Sequence, residues 1–238
     1  MKKQIYLFLN ILLFSCSIES SILSESASKG IDDILKFYGG YCEYSVGKVV
    51  ATDEPTTTYF EVKLSKSKGV EKFKKDSKFA SSNIAYRLYR NLTKEEKSNY
   101  SEIRTIIIFE SGITKKYSFK SNELETVDNK TKTIDLVVDY LKDKDFEKIS
   151  TILNDSSVIE YDKDALITQM EKVDSKYGNI TEEGFRIFGY RKVKYNRKHK
   201  KYLRISGAII RDNNSNELSV VMDPEKENNE VLTLEYTM

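Results

Sequence analysis

The sequence is poor in the residues on which most catalytic and metal sites depend. It contains one histidine, two cysteines, two prolines and no tryptophan in 238 residues. The histidine, His199, stands between Lys198 and Lys200, whose positive charges repel metal cations and disfavour a proton-accepting role. We therefore expect His199 to be an exposed turn residue, and the sequence indicates no catalytic residues, no metal site and no cofactor.

Glycine-rich phosphate loops and an excess of one charge are also absent. None of the ten glycines belongs to a P-loop, a dinucleotide-binding turn or a Gly-x-Ser-x-Gly elbow. Lys and Arg total 39 against 37 for Asp and Glu, so the net charge of +2 creates no global field that would attract nucleic acid. The acidic stretch 223–230 lacks the spacing and the glycine of a calcium loop. The composition therefore argues against nucleic-acid partners and against nucleotide chemistry.

Long apolar runs are missing except at the start of the chain. Lys2 and Lys3 precede an apolar segment over residues 5–14, which Cys16 closely follows. A helix needs about 20 apolar residues to span a bilayer, so this run is typical of a cleaved export signal. Exported proteins usually pair their cysteines, yet only Cys16 and Cys42 are present. A modification of Cys16 would explain the imbalance and leave Cys42 as a small buried strand residue.

The segment 13–16, Leu-Phe-Ser-Cys, resembles the lipobox of bacterial lipoproteins. The resemblance implies a signal peptide over residues 1–15, diacylglycerol on Cys16 and attachment to a membrane of the cell envelope through that lipid. Phe14 departs from the small or aliphatic residue usual at its position. Ser17 differs from the aspartate that retains some lipoproteins in the inner membrane, which favours the outer membrane. The alternative is an ordinary secretory signal cleaved nearby.

The pattern beyond the signal predicts an α+β protein. We expect a serine-rich flexible tether over residues 16–29, an N-terminal α+β domain over residues 30–128 and a C-terminal domain over residues 129–238. The boundary is placed in a polar stretch near residues 128–132. The predicted helices cover 30–38, 79–92, 134–141, 146–153 and 164–173, and the predicted strands cover 41–50, 58–64, 102–109, 114–120, 185–195, 202–211, 218–222 and 231–236.

Residues 132–238 resemble the cystatin and NTF2-like folds in the order of their elements and in the segment 138–146 ahead of a helix. The resemblance implies helices packed on antiparallel sheets, with two such units in the chain. No residue-level repeat relates the two halves. Because these folds occur in enzymes, binding proteins and carriers alike, the resemblance does not specify a function.

The sharpest local charge feature is the basic segment, residues 191–201, in which seven of eleven residues are Lys or Arg. It could bind anionic lipid headgroups, anionic glycans or an acidic partner protein. It could equally be a solvated hairpin end that protects a strand edge. The predicted anion-binding residues are Arg191, Lys192, Lys194, Arg197, Lys198, Lys200 and Lys201.

These observations lead to one main functional hypothesis and two alternatives. The main hypothesis is a lipid-anchored envelope protein that binds an envelope protein or an anionic glycan or lipid without catalysis. The alternatives are an envelope enzyme that uses Asp, Glu or Tyr in an NTF2-like cavity, and a carrier of small ligands. Tyrosines such as Tyr41 and Tyr44 would suit a sugar-binding or peptide-binding face, or would replace tryptophan in strands and cores.

Overall fold

The structure is a computed structural model that describes residues 23–50, 52, 55–154, 161–195 and 200–237. The predicted signal peptide and Cys16 lie outside these residues, as do Arg197 and Lys198 of the basic segment. Among the described residues, no helix is both long enough and apolar enough to cross a membrane.

The first half of the chain places helices on a mixed four-stranded sheet. The sheet order is β1-β2-β3-β4, in which β2 and β3 are parallel and the other neighbours are antiparallel. Two predicted hairpins, β1–β2 and β3–β4, therefore lie side by side. The elements are α1 (Glu25–Tyr38), β1 (Tyr41–Val49), β2 (Thr57–Ser65), α2 (Lys68–Glu71), α3 (Ser77–Asn91), α4 (Lys94–Asn99), β3 (Glu102–Ile108) and β4 (Thr114–Lys120).

The second half places helices before an antiparallel meander. Its sheet order is β5-β6-β7-β8, so each strand pairs with its neighbour in sequence. The elements are α5 (Ser121–Lys142), α6 (Phe146–Ile152), α7 (Lys163–Tyr177), β5 (Ile180–Val193), β6 (Tyr202–Arg211), β7 (Asn216–Met222) and β8 (Thr233–Thr237). The two sheets with their helices confirm the predicted α+β class.

Helix α1 begins at Glu25, inside the stretch predicted to be a flexible tether. The Ser24 side chain accepts a hydrogen bond from the Ala27 amide at 3.1 Å and so caps the helix. The hydroxyls of Ser24 and Ser26 both donate to the Glu96 carboxylate, which also closes a capping box with Thr93 on α4. Serines that suggested flexibility are thus cap residues, and the last part of the predicted tether is helical.

Helix α3 lies at the centre of the fold. It packs against α1 and α5, and also against strands of both sheets, namely β3 and β5. Nearly every residue from Ser77 to Tyr89 is buried, including the polar Asn83 and Arg87. One cluster of buried apolar side chains extends from Ala27 on α1 to Tyr236 on β8. The two halves of the chain therefore share a core.

Helix α5 runs without a break through the predicted domain boundary at residues 128 and 129. The polar stretch near the boundary stays helical because its polar side chains have partners. Lys130 is buried, and its ammonium group donates to the backbone carbonyls of Lys226 and Asn228. Thr133 donates to the Asn229 side chain at 3.1 Å. The stretch is therefore helical and contacts the loop before β8, and the division of the chain into two domains stays a prediction.

Candidate functional site

A cleft of about 720 Å³ opens between α1, α3 and the first part of β5. It combines six charged side chains with a set of phenylalanine rings. The charged residues are Asp33, Lys36, Arg87, Arg90, Glu183 and Arg186, and the aromatic residues are Phe37, Phe185 and Phe188.

Local helix geometry brings these residues to one place. Asp33, Lys36 and Phe37 are spaced by three and four positions, so they share one face of α1. Arg87 and Arg90 share a face of α3 for the same reason. Two glycines permit the close approach of the elements that line the cleft. A Cβ at Gly30 would lie 3.1 Å from the backbone of Leu88, and one at Gly189 would lie 2.6 Å from the Phe79 carbonyl oxygen.

Arg87 is the buried cation of the cleft, with only 5% of its side chain exposed. Its Nη1 donates to Asp33 Oδ1 at 2.6 Å, and its Nη2 donates to the Ile187 carbonyl at 3.3 Å. The guanidinium carbon lies 3.9 Å from the centre of the Phe37 ring. Burial lowers the pKa of Arg87, and the negative charge of Asp33 opposes that shift. The Nε is buried without a hydrogen-bond partner among the described residues.

Asp33 is surrounded by donors from α3. Besides Arg87, it accepts hydrogen bonds from Arg90 at 2.6 and 3.1 Å, and a longer one from Asn91 at 3.4 Å. The oxygens of a carboxylate that accepts hydrogen bonds from two guanidinium groups are largely occupied by the protein itself. Asp33 therefore holds the arginines in place.

The strand side of the cleft carries a second arginine–carboxylate pair. Arg186 donates to Glu183 through Nε and Nη2, both at 2.6 Å. The hydrogen bonds from Arg186 lower the pKa of Glu183, and the nearby charges of Lys36 and Arg87 lower it further. No ion pair of Lys36 is found in the part of the chain that the structure describes. The cleft thus holds four cationic side chains and two carboxylates, a balance that favours a bound anion.

The predicted basic segment is only partly free to bind an anion. Arg191 pairs with Asp76 at 2.8 Å, Lys192 pairs with Glu123 at 2.7 Å, and Lys200 pairs with Asp223 at 2.8 Å and Glu225 at 3.1 Å. These pairs reduce the local positive charge. Lys194 and Lys201 are exposed and have no ion pair among the residues described.

Arg197 and Lys198 of the basic segment lie outside the described residues. Anion binding by this segment therefore stays a prediction.

The second half contains a buried arginine whose partners show a structural role. Arg211 donates to Asn216, Asp174, the Gly178 carbonyl and the Tyr236 hydroxyl, at 2.6–2.9 Å. These bonds join α7 to three strands of the sheet. Around them the inward-facing side chains are mostly apolar, among them Ile205, Ile209, Leu218, Val220 and Leu234. This filling counts against an acid–base cavity between α7 and the second sheet.

Cys42 is the thiol within the described residues, and its surroundings do not activate it. Cys42 lies on β1 and is half-buried, and burial raises its pKa to about 12, with the charge of Glu43 adding to the shift. A thiol of that pKa is a weak nucleophile at neutral pH. No group of three or more His, Cys, Asp or Glu residues placed to hold a metal ion occurs within the described ranges.

Sequence reasoning missed the cleft. Asp33 lies 54 positions from Arg87, and Ile187 lies 100 positions from it, so no local pattern links them. One signal was available, since Arg87 and Arg90 interrupt a helix whose other residues are mostly small or apolar. Comparison with family models, with curated proteins and with solved structures finds no match to this chain.

Proposed function

We propose that this protein is a lipid-anchored, non-catalytic binding protein of a bacterial envelope, and that it binds an anionic ligand in the cleft between α1, α3 and β5. One observation carries the binding proposal. Four cationic side chains line the cleft against two carboxylates, and three of the cations, Lys36, Arg90 and Arg186, are exposed. This excess of accessible positive charge supports a ligand with acceptor oxygens.

The lining residues indicate the chemical class of the ligand. Guanidinium groups bind carboxylates and phosphates through paired hydrogen bonds. The rings of Phe37, Phe185 and Phe188 offer apolar contact beside those charges. A small carboxylate or phosphate ester with an apolar or aromatic body therefore fits both features.

The test of the cleft uses simple probes that separate the two features. Phenyl phosphate and benzoate combine an anion with a ring, inorganic phosphate has the charge alone, and benzyl alcohol has the ring alone. Titration calorimetry should show the strongest binding for the ring-bearing anions. Lys36→Gln and Arg186→Gln should each weaken that binding about tenfold, because each removes a charge-assisted contact.

The matched control is Lys115→Gln, an exposed lysine on β4 outside the cleft, which should leave the affinity unchanged. Equal binding of benzyl alcohol and benzoate would contradict the anion proposal. Equal losses of affinity in the cleft variants and in the control variant would also contradict the anion proposal.

The anchor is a separate part of the proposal and rests on the lipobox-like segment that ends at Cys16. Its test is the intact mass and membrane fractionation of the expressed protein beside a Cys16→Ser variant. We expect acyl mass and membrane association only in the wild type. Soluble and unmodified wild-type protein would instead identify a secreted protein, and anion binding by the cleft would stand unaffected.

We also keep the cystatin or NTF2-like likeness as a proposal about the second half. Its support is the order of α5, α6 and α7 ahead of the four-stranded antiparallel meander. The likeness predicts that the helices cover one face of a curved sheet. An experimental structure of this half, compared strand by strand with both folds, would decide it.

A further inference from the structure

Strand β1 exposes most of the large hydrophobic side chains found on the described surface. Six such residues are strongly exposed, and five of them lie on β1 or directly after it. Their exposures run from 41% for Tyr44 and Val46 to 73% for Val50, with Tyr41 and Val49 in between. Scattered exposed hydrophobic residues need no explanation, whereas a concentration on one strand marks an interaction surface.

The same strand has an open edge. In the described sheet β1 pairs only with β2, so its outward N–H and C=O groups have no strand beside them. The pairing of β1 with β2 runs through nine consecutive residue pairs without a bulge. A long, regular and apolar edge is a template for another strand, and proteins usually protect such edges.

The other edge strands are better protected than β1. The edge strand β4 bears Lys115, Lys116 and Lys120. The register of β5 against β6 shifts twice, and β8 is only five residues long. Lysines, irregularities and short length are the devices that prevent edge pairing. Strand β1 carries one lysine, Lys48, and has neither a register shift nor a short length, so it is the least protected of the four edges.

We propose that β1 pairs antiparallel with β1 of a second copy of the chain, so that the two first sheets form one continuous sheet. A two-fold axis through Ser45 gives a self-complementary register. Residues directly opposite one another share a face of the sheet, and in this register Tyr44 faces Val46 and Tyr41 faces Val49 of the other copy. No like charges are brought opposite one another.

The polar residues of β1 also suit this register. Glu43 lies opposite Gly47 of the other copy. The space above that glycine is occupied by the Tyr59 hydroxyl, since a Cβ added at Gly47 would lie 2.4 Å from it. The hydroxyl is therefore placed to donate to the incoming carboxylate, which in each copy already pairs with Lys63 at 2.8 Å. An unrelated peptide would provide this carboxylate only by coincidence, so the strand's own sequence is the better fit.

The main test is crosslinking at the symmetry axis. It uses the full mature chain with Cys16→Ser, so that acylation cannot drive association, and with Cys42→Ser, so that no native thiol reacts. Ser45→Cys then places two thiols directly opposite, within the range of Cα separations that a disulfide accepts. We expect covalent dimers under mild oxidation. Ser118→Cys, on the open edge of β4, is the matched control and should remain monomeric.

The second test measures self-association in solution by sedimentation velocity over a concentration series. Val46→Lys should weaken dimerisation about tenfold, because it removes both symmetry-related Tyr44–Val46 contacts. Ile113→Lys changes a similarly exposed residue in the β3–β4 turn and should have no effect. Circular dichroism checks that each variant is folded.

Two results would overturn the proposal. One is a wild-type chain that stays monomeric at high concentration, with Ser45→Cys crosslinking no faster than Ser118→Cys; the open edge would then belong to a strand from another protein. The other is a dimer that Val46→Lys leaves intact. Neither result depends on the cleft or on the lipid, so the proposed function would stand.

Discussion

Removing the carboxylate of Asp33 should destabilise the protein far more than an ordinary surface change. Asp33 is 20% exposed and pairs with Arg87, whose side chain is 5% exposed. The substitution Asp33→Asn keeps the shape of the side chain and removes its charge. Arg87 would then remain charged and buried without an anion to balance it, because arginine does not lose its proton in proteins.

The magnitude follows from the burial of the pair. Breaking a buried ion pair on one side typically costs about 3–5 kcal/mol, and the partial exposure of Asp33 places this case at about 3 kcal/mol. For a chain of this size that loss lowers the melting temperature by roughly 6–12 °C. Arg87→Met alone should cost less, about 1–2 kcal/mol, because Asp33 keeps its bonds to Arg90 and Asn91.

The decisive measurement is a double-mutant cycle in urea unfolding. The variant Asp33→Asn/Arg87→Met should be more stable than Asp33→Asn alone, since the second change removes the unbalanced charge. Glu183→Gln breaks the exposed pair with Arg186 and should cost less than about 1 kcal/mol. A loss below about 1 kcal/mol for Asp33→Asn, or no rescue by Arg87→Met, would refute the reasoning.

Three further predictions follow from single contacts. Burial raises the pKa of Cys42 to about 12, so its alkylation at pH 8 should be much slower in the native protein than in urea; equal rates would contradict this. At Glu96, burial raises the pKa, but bonds from the cap serines of α1 and from Thr93 outweigh it and lower the pKa to about 2. Glu96 should thus stabilise the fold by about 1 kcal/mol at neutral pH, an advantage over Glu96→Gln that disappears as the pH falls from about 4.5 towards 2. Arg211→Met should cost about 3 kcal/mol in urea unfolding, because it leaves the buried Asp174 with only a longer ion pair to Lys144 and removes the donor to the Gly178 carbonyl and the Tyr236 hydroxyl; a loss under 1 kcal/mol would show that these contacts are dispensable.

Local patterns predicted most elements of the fold because those elements depend on their own residues. The alternation in β1 and β2 and the turn at Gly112 gave both hairpins of the first sheet. Local patterns failed where a distant partner decides the structure. Residues 128–132 are polar and looked like a boundary, yet Lys130 finds backbone carbonyls 96 and 98 positions away and the helix continues.

The tyrosines also divide into those whose burial the sequence predicted and those whose exposure depends on the topology of the sheet. Tyr38, Tyr86 and Tyr89 are buried, as expected of residues that replace tryptophan in a core. Tyr41 and Tyr44 are exposed on β1, and nothing in their local sequence distinguishes them from the others. The difference arises because β1 is the edge of its sheet, and edge position is a property of the topology.

Helix α1 connects the proposed anchor to the proposed binding cleft. If Cys16 carries lipid, the polypeptide reaches the folded protein through α1, which is held at three points along its length. Ser24 and Ser26 bind Glu96 near its start, Asp33 binds Arg87 and Arg90 in its middle, and the Tyr38 hydroxyl accepts a hydrogen bond from Asn83 at 3.0 Å near its end.

The middle attachment of α1 is also one wall of the cleft. An anion that binds Arg87 and Arg90 would compete with Asp33 for the same donors or would add acceptors to them. In the first case binding loosens α1, and in the second it tightens α1. Hydrogen exchange of the α1 amides with and without phenyl phosphate distinguishes the two. The bonds that Asp33 accepts from Arg87, Arg90 and Asn91 favour tightening, because a ligand that displaced Asp33 would have to break all of them. Slower exchange in α1 is therefore the expected result, and faster exchange would show that the ligand replaces Asp33.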